Sequence, residues 1–475
     1  MSSDKNFQQN FNYTNAGMHL LVAIFFGIVL YDLGEAPKYL FFPYVIFLIA
    51  QPRKEHFPAL FILMCYGTVL TIFGALVVIV FSFTKLKEIM EKDLFRLWLM
   101  LIISLPVYII VTIYRISSID MPFTEAIAMD DYYVAFWFLL YGALCAKYIT
   151  RWVLNLTTLP LVIIFGLAIL DFDAVAGLSA LKRTSVMTEI MLIFFIIKSL
   201  SGQLDVRNAS WAKFAMVLYI LFRIADGVPQ YKFTFFIAII ISSVFMFNPN
   251  IFQQKNKALA LRQTKYRSLI FISVPFAFLA FTLYFTPYLL ESLYQVDTID
   301  YYGGGNIIQI IGAKIFVDRG TLWLGVIQGI QEHSGLLPPV EQWLIKYSIL
   351  QNEFEVDFES HNLFLGLIRY NGFIIGPLLA ITYLRWMYKL AMNIYKNDPF
   401  INVFRLSIFG VGIAVFTTGQ YTLSLNASFF FMAFTGALAL RHDYIPDKEK
   451  KKKAKALFRI GKSKKESSNL AENMN

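Results

Sequence analysis

His361 is the residue of this sequence whose type and position best suit acid–base chemistry. It stands in Ser-His-Asn at 360–362, where a long polar stretch ends and an apolar segment begins. If that segment crosses a membrane, His361 lies at the interface, between water and lipid head groups. An imidazole titrates near neutral pH, so His361 is a candidate general base. Taken alone, a histidine at a helix start is more often a cap or a surface residue.

Two arginines are candidates for binding phosphate beside such a base. Arg319 lies in Asp-Arg-Gly-Thr-Leu-Trp at 318–323, and Arg183 lies near the end of an apolar segment. Guanidinium groups bind phosphate oxygens through paired hydrogen bonds and keep their charge. Two of them can therefore hold a diphosphate and stabilise it as a leaving group without a metal ion. Each arginine alone would be interpreted as an interfacial anchor whose side chain reaches toward water.

Other polar residues give weaker signals. Arg223 lies within an apolar segment, where a charge is costly and serves either a site or a partner. Asp226, three residues later, is the partner that would make Arg223 structural, and both interpretations stay open. Asp171 and Asp173 are spaced like a metal-binding carboxylate pair, but no third ligand is nearby in the sequence, and we predict no metal site. The glycine run at 303–305 lacks the lysine of a phosphate-binding loop and is predicted to be a hinge.

The composition of the chain sets the environment of these residues. Of 475 residues, 57% are hydrophobic, 17% are aromatic and only 16% are charged, which excludes an ordinary soluble domain. Apolar stretches long enough to cross ~30 Å of hydrocarbon recur from Met18 to Leu440. Their length favours helices, because a membrane barrel would show short alternating strands. We therefore predict an all-α polytopic membrane protein.

Windows of about 19 residues predict about 12 or 13 membrane-spanning helices. They divide the chain into five parts: a polar segment at 1–17, helices over 18–286, one large extracytoplasmic loop at 287–361, helices over 362–440, and a basic tail at 441–475. The predicted helices are 18–32, 36–50, 57–83, 97–114, 132–149, 152–170, 186–200, 211–226, 231–247, 268–287, 362–391, 400–417 and 423–440.

The basic residues predict how the chain is oriented. The lysine-rich tail from Asp447 is expected in the cytoplasm, since cytoplasmic segments carry an excess of lysine and arginine. Counting back from it also places the basic loop 253–267 and the turn 147–151 in the cytoplasm. The loops 287–360 and 171–185 are then extracytoplasmic. The tail is interpreted as an orientation signal held near anionic lipids, with a site for a cytoplasmic partner as the alternative.

The first third of the chain conflicts with this orientation. The same counting puts the basic turn 51–56 outside, against its charge. One of the helices predicted there must therefore be wrong. The candidates are the hairpin at 31–38 and the segment 57–83, where Gly67 and Gly74 could mark a break.

Three local patterns resemble the O-antigen ligase and polymerase family of bacterial surface-glycan assembly. Ser-His-Asn-Leu-Phe-Leu at 360–365, followed by the glycines 372 and 376, is similar to the family's His-Asn helix with its glycine pair. Asp-Arg-Gly-Thr-Leu-Trp at 318–323 is similar to the Arg-x-x-x-Trp element that opens the family's large periplasmic loop. Ser-Ala-Leu-Lys-Arg-Thr-Ser at 179–185 resembles its upstream serine and arginine segment. The order and spacing of the three patterns also match, over roughly 159–440.

The resemblance implies a GT-C-like bundle in the bacterial inner membrane that works as a glycosyltransferase on the periplasmic side. Its donor would be a glycan on undecaprenyl diphosphate, and its acceptor would be lipid A-core or the growing end of another such glycan. His361 would take the acceptor proton, while Arg183 and Arg319 would stabilise the departing diphosphate, without metal and with inversion.

The resemblance also bears on substrate contacts. Together with Arg223, residues Asn362 and Arg369 are candidates to touch the substrate. The family often has an acidic residue shortly before the first glycine, where this chain has Arg369 and Tyr370. The other expected partner is the lipid bilayer, with no cofactor and no nucleic acid.

Other functions stay open at the level of the sequence. A flippase or transporter of lipid-linked oligosaccharides would suit a basic bundle of a dozen helices, although the long outer loop and the absence of visible repeats count against it. A protein O-oligosaccharyltransferase would use the same donor. It is disfavoured because the outer region offers one loop and no further soluble domain. A scaffolding subunit would not need the histidine and the two arginines.

Overall fold

Helices make up most of the described chain, as the apolar composition predicts. The computed structural model describes residues 11–32, 42–64, 68–91, 94–150, 153–154, 240–241, 257–300, 312–333, 335–341, 343–349, 352–356, 360–393, 399–418 and 427–441. Three helical segments among these are long and apolar enough to cross a membrane, namely Phe95–Ser118, Arg262–Leu290 and Leu363–Met392. The windows predicted between 152 and 247 fall almost entirely outside the described residues.

The elements are numbered in chain order. The first part contains α1 Tyr13–Asp32, α2 Phe42–Ala50, a 3-10 turn Lys54–His56, α3 Phe57–Leu63, α4 Thr68–Thr84, α5 Leu86–Glu91, α6 Phe95–Ser118, α7 Phe123–Ala128, α8 Asp131–Leu144 and a 3-10 turn Ala146–Tyr148. The second part contains α9 Lys257–Asp300, a π-helix Lys314–Gly320, α10 Thr321–His333, β1 Ile345–Ile349, β2 Asn352–Val356, α11 Leu363–Met392, α12 Pro399–Thr418 and α13 Ala427–Leu440.

Helix α8 lies at the centre of the bundle and runs between its two ends. Every residue from Tyr133 to Leu144 is buried. The start of α8 lies beside the last turns of α6, because Asp130 pairs with Arg115 there. We call this the loop end of the bundle. The opposite end, which carries the two 3-10 turns, is the turn end.

The predicted helix 57–83 is wrong, because the structure has two helices there, α3 and α4. Phe57, at the start of α3, stacks on Tyr148 of the turn end at 6.0 Å between ring centroids. Phe81, near the end of α4, contacts Tyr141 in the last turn of α8 at 5.6 Å. The start of α3 and the end of α4 therefore lie at the same end of the bundle. The basic turn 51–56 therefore lies beside the basic turn that follows α8. This position removes the conflict between the charge of the turn 51–56 and its predicted location outside.

Helix α9 is much longer than the predicted 268–287. It runs over 44 residues, ~66 Å at 1.5 Å per residue, and contains Pro275 and Pro287. The helix continues past 287 to Asp300, into the stretch predicted as the extracytoplasmic loop, while its apolar span ends at Leu290. Likewise, Arg262 and Lys265 belong to α9 rather than to a loop. A hydropathy window finds where a helix is apolar, and it cannot find where a helix continues into polar surroundings.

A β-hairpin lies in the predicted loop, so the all-α prediction is wrong at this point. Strands β1 and β2 pair antiparallel, with Ile345 opposite Val356 and Ile349 opposite Asn352. The sequence of β1 alternates apolar and polar residues, as a half-buried strand does. A window of 19 residues averages this alternation away.

The bundle is held together at the crossing of α8 and α13, where the two backbones nearly touch. A Cβ atom placed on Gly142 of α8 would overlap the carbonyl oxygen of Ala433, and one on Gly436 of α13 would overlap that of Leu139. Small residues permit such an approach, and the close packing between helices stabilises an assembly in lipid. The two glycines therefore set the distance between the central helices.

Replacing Gly142 with Ala should lower the free energy of unfolding by about 1–3 kcal/mol, because the added methyl forces two backbones apart. The matched control is Gly17→Ala in α1, where a new Cβ meets nothing within 4 Å. There the better helix propensity of alanine should leave stability unchanged or raise it by up to about 1 kcal/mol. Thermal unfolding of the purified protein in detergent measures both variants. Equal midpoints would contradict the close crossing.

Candidate functional site

The start of α11 holds His361 in an unusual backbone conformation. Its φ is 46°, in the left-handed region that residues with a side chain rarely adopt. Both neighbours are buried and hydrogen-bonded, whereas the His361 side chain is half-buried. Ser360 Oγ donates to the Asn362 carbonyl at 2.9 Å, and Asn362 Oδ1 accepts from the backbone N–H of Leu365 at 3.2 Å. These bonds fix the chain on both sides of the strained residue.

Asn362 has a structural role that its sequence position explains. An asparagine at the N-cap satisfies a backbone N–H that the first turn leaves without a partner. Its Nδ2 also donates to the carbonyl of Thr417 at 3.4 Å, which ties the start of α11 to the last turns of α12. Ring contacts between Phe364, Phe416 and Phe276 extend this junction to α9. The position of His361 is thus set by three helices.

Arg319 lies in the last turn of the π-helix that precedes α10. π-Helices are rare and occur frequently at functional sites. The side chain is buried, and Gly320 beside it packs directly against Thr286 of α9. Burial lowers the pKa of the Arg319 guanidinium, while the neighbouring Asp318 raises it. Because a guanidinium starts from so high a pKa, Arg319 remains a cation at any working pH.

One apolar cluster supports both Arg319 and His361. Leu322 and Trp323 follow Arg319 in α10, and they belong to the same buried cluster as Leu365 of α11, four residues after His361. The structure therefore builds the two predicted site residues on a common core. The buried members of the cluster are Leu279, Leu322, Trp323, Val326, Ile330, Trp343, Ile345, Leu365 and Ile368.

Arg369, a predicted substrate contact, is buried in α11 and binds the chain just before β1. Its Nη2 donates to the Trp343 carbonyl at 2.6 Å. The guanidinium also lies over the rings of Trp343 and Tyr370, with centroid distances of 4.8 and 5.2 Å. Arg369 therefore joins the β-hairpin region to α11, and its contact with substrate stays a prediction.

Helix α11 is interrupted at Gly372, the first glycine of the pair that the sequence singled out. Gly372 has φ 73° and ψ 178°, outside helical values. A Cβ there would overlap the carbonyl oxygen of Leu337 from the loop. Tyr108 of α6 donates to Asn371 Oδ1 at 2.6 Å, immediately before the interruption. Glycine is required at this position both for its backbone angles and for the close approach of the loop.

A buried ion pair that sequence reasoning missed joins this loop to α6. Arg115 Nη1 donates to Asp130 Oδ1 at 2.9 Å and to the Ala126 carbonyl at 3.0 Å. Its Nη2 donates to the Pro339 carbonyl at 2.6 Å, and its Nε to that of Val340 at 3.1 Å. The signal in the sequence was a single charge just after the window 97–114, which is usually interpreted as an exposed helix end.

Asp131 lies next to this ion pair, and no ion-pair partner of Asp131 is found in the described structure. The side chain is buried, and neither carboxylate oxygen has a hydrogen-bond partner within the described structure. It stands at the first position of α8, ahead of the apolar segment that begins at residue 132. Burial raises the pKa of the Asp131 carboxyl well above its usual range, and the adjacent Asp130 raises it further.

The remaining predicted residues lie outside the described part of the chain. These are Arg183, Arg223 with Asp226, the pair Asp171 and Asp173, and the glycine run at 303–305. The grouping of Arg183 with His361 therefore stays a prediction. Among the residues that the structure does describe, no group of three or more His, Cys, Asp or Glu side chains could hold a metal ion.

Comparison with models of known protein families, with curated proteins and with solved structures finds no match in any of the three. The motifs and the geometry of the chain itself are therefore what bears on its function. The features that bear on it are the strained His361, the buried cation Arg319 and the shared core below them.

Replacing Asp131 with Asn should stabilise the protein at neutral pH, and more so as the pH rises. A carboxyl whose pKa is raised by folding stabilises the fold below its unfolded pKa of ~3.9, and this contribution is lost as the pH climbs toward the folded value. The amide cannot ionise, so the variant avoids that loss. Thermal unfolding in detergent at several pH values from 4 upward tests this. A difference from the native protein that does not vary with pH would contradict it.

Proposed function

We propose that this chain is a membrane glycosyltransferase that transfers a glycan from undecaprenyl diphosphate to a sugar hydroxyl. The acceptor is lipid A-core or the end of another lipid-linked glycan, so the protein is an O-antigen ligase or polysaccharide polymerase. The observation that carries the proposal is His361, with its left-handed backbone fixed by two buried neighbours. Such strain costs on the order of 1–3 kcal/mol, and it clusters at active sites, where the surrounding structure maintains it.

In the proposed reaction His361 acts as the general base. Its imidazole accepts the proton of the acceptor hydroxyl while the hydroxyl oxygen attacks the anomeric carbon of the donor sugar. The bond from that carbon to the diphosphate oxygen breaks, and undecaprenyl diphosphate leaves with the electron pair. Attack from the side opposite the leaving group inverts the configuration. The position of His361 suits this role, since its neighbours fix its backbone and its side chain is only half-buried.

Arginine side chains stabilise the leaving diphosphate in this proposal. Arg319 offers a cation whose position is set by the π-helix and the core beneath it. Arg183 supplies the second guanidinium. Since both groups keep their charge, the reaction needs no metal ion to neutralise the developing negative charge.

The orientation of the chain follows from its basic turns. The hairpin of α3 and α4 brings the turn at Lys54–His56 to the same end of the bundle as the turn at Ala146–Tyr148, which carries Lys147. An excess of basic residues favours the cytoplasm, so the turn end is cytoplasmic in this proposal. The loop end, with His361 and Arg319, then faces the periplasm, where lipid-linked glycans are joined.

The experiment that tests the proposal is transfer by the purified protein in nanodiscs with undecaprenyl-diphosphate glycan as donor and EDTA present. One sample receives lipid A-core and the other receives no second acceptor. Product on lipid A-core identifies a ligase, and lengthened lipid-linked glycan without it identifies a polymerase. No product in either sample would count against the transferase and favour a flippase of lipid-linked oligosaccharides.

Replacing His361 with Asn should reduce transfer by a factor of about 10²–10⁴, the usual contribution of a general base. Asparagine tolerates the left-handed backbone, so this variant removes the base without disturbing the start of α11. The control is His333→Asn at the end of α10, whose side chain is exposed. Initial rates in the nanodisc assay compare them. Near-normal transfer by the His361 variant would remove this residue from the mechanism.

Replacing Arg319 with Lys should also abolish most transfer. A lysine keeps the charge but cannot form paired hydrogen bonds to a diphosphate, and its point charge reaches a different position. Arg385→Lys in α11, at an exposed position, is the matched control and should transfer normally. The same assay measures both. Full activity of the Arg319 variant would reduce this residue to an anchor.

A further inference from the structure

The segment 335–340 connects α10 to the chain before β1, and none of its six residues has a polar side chain. Its sequence is Gly-Leu-Leu-Pro-Pro-Val. Leu336 and Leu337 are 66% and 49% exposed. A soluble loop rarely exposes two adjacent leucines in a stretch without any polar side chain. The composition of this segment therefore suits apolar surroundings better than water.

The segment lies beside the apolar length of two candidate membrane-spanning helices. The backbone N–H groups of Phe373 and Ile374 in α11 donate to the carbonyls of Gly335 and Leu336 at 3.2 and 3.1 Å. Phe373 lies ten residues after the start of α11, about 15 Å along its axis. Tyr108 of α6 binds Asn371, the residue before Gly372, and lies about 15 Å from the end of α6 along the helix axis. Both helices therefore give the same distance from the loop end.

Most carbonyl groups of the segment find hydrogen-bond donors within the protein. Four of its six carbonyls accept hydrogen bonds, two from the interrupted turn of α11 and two from Arg115. Pro338 and Pro339 have no N–H to satisfy. Irregular backbone at membrane depth is tolerated only where its polar groups find partners in the protein. The interruption of α11 at Gly372 frees the N–H groups that this segment needs.

Exposed apolar side chains lie beside the segment on α11, whereas Glu341, the residue that follows it in the chain, is exposed and acidic. Phe373 and Ile374 are 45% and 49% exposed and flank the two leucines. Further along α11, Leu378 and Ile381 are also exposed. On the preceding helix, His333 Nε2 lies 3.6 Å from a carboxylate oxygen of Glu332, and both side chains are exposed.

We infer that residues 335–340 form a re-entrant loop whose leucine tip is inserted among the acyl chains of the bilayer. The partner of this surface is lipid hydrocarbon. The loop predicted as extracytoplasmic therefore meets the membrane at this tip, as well as where it joins the membrane-spanning helices before and after it. The anchor holds α10 and the β-hairpin against the half of α11 that begins at His361, and it does not depend on the reaction that the protein catalyses.

The test measures the depth of a nitroxide label on Leu336→Cys in nanodiscs, with Cys65 and Cys145 replaced by Ala. Oxygen concentrates in hydrocarbon and a water-soluble nickel chelate is excluded from it, so collision rates with the two report the surroundings of the label. The references are Leu378→Cys, exposed on α11, and Glu332→Cys, exposed on α10. We expect the label at 336 to behave like the one at 378, favouring oxygen over the chelate by about tenfold relative to 332.

Two results would overturn the inference. A label at 336 that meets the chelate as readily as the label at 332 would place the tip in water. A label that meets neither reagent would show that protein or a bound isoprenoid covers it. If the cysteine-free chain fails to elute as a single folded species, p-benzoylphenylalanine at 337 in the native chain replaces the label. Photo-crosslinks to phospholipid acyl chains are then expected, and crosslinks to protein alone would refute the insertion.

Discussion

A single buried guanidinium joins parts of the chain that are more than 200 positions apart. Arg115 is fully buried and donates to the carboxylate of Asp130 and to the carbonyls of residues 126, 339 and 340. Removing a charge from water costs several kcal/mol, and the cost is recovered only when its donors are satisfied. The loop carbonyls at 339 and 340 supply what Asp130 alone cannot. The packing of this loop against α6 and α11 therefore depends on that charge.

The same constraint, that polar groups away from water need partners, explains the interruption of α11. A continuous helix would keep its N–H groups for itself and offer the loop nothing. At Gly372 the helix opens, and two N–H groups turn to the carbonyls of Gly335 and Leu336. The loop is thus held by Arg115 at one end of its apolar segment and by the backbone of α11 at the other. Together these contacts explain how irregular chain can lie beside apolar helices.

His361 directly precedes α11, and the loop 335–340 is hydrogen-bonded to the same helix. This common helix links the anchoring of the loop to the proposed chemistry. The first turns of α11 pack into the core of α10 and β1 through Leu365 and Ile368. Leu322 and Trp323, which follow Arg319 in the chain, belong to the same core. Contacts that keep α10 against α11 therefore also fix the helix ends next to Arg319 and His361. The positions of both therefore rest on contacts that neither residue makes itself.

The local sequence predicts the helical character, the apolar segments suited to lipid and the place of His361 at the start of a helix, because hydropathy summed over some 20 residues and a local asparagine cap do not depend on distant contacts. It also marked Gly372 and Arg319 through short motifs. Tertiary contacts are needed to specify four further features: the hairpin of α3 and α4, the full length of α9, the β-hairpin and the partners of Arg115. Each of these depends on which distant groups meet, such as Phe57 with Tyr148 or Arg115 with Pro339. No local pattern of residue types specifies such contacts, because they contribute free energy only when folding takes both partners out of water.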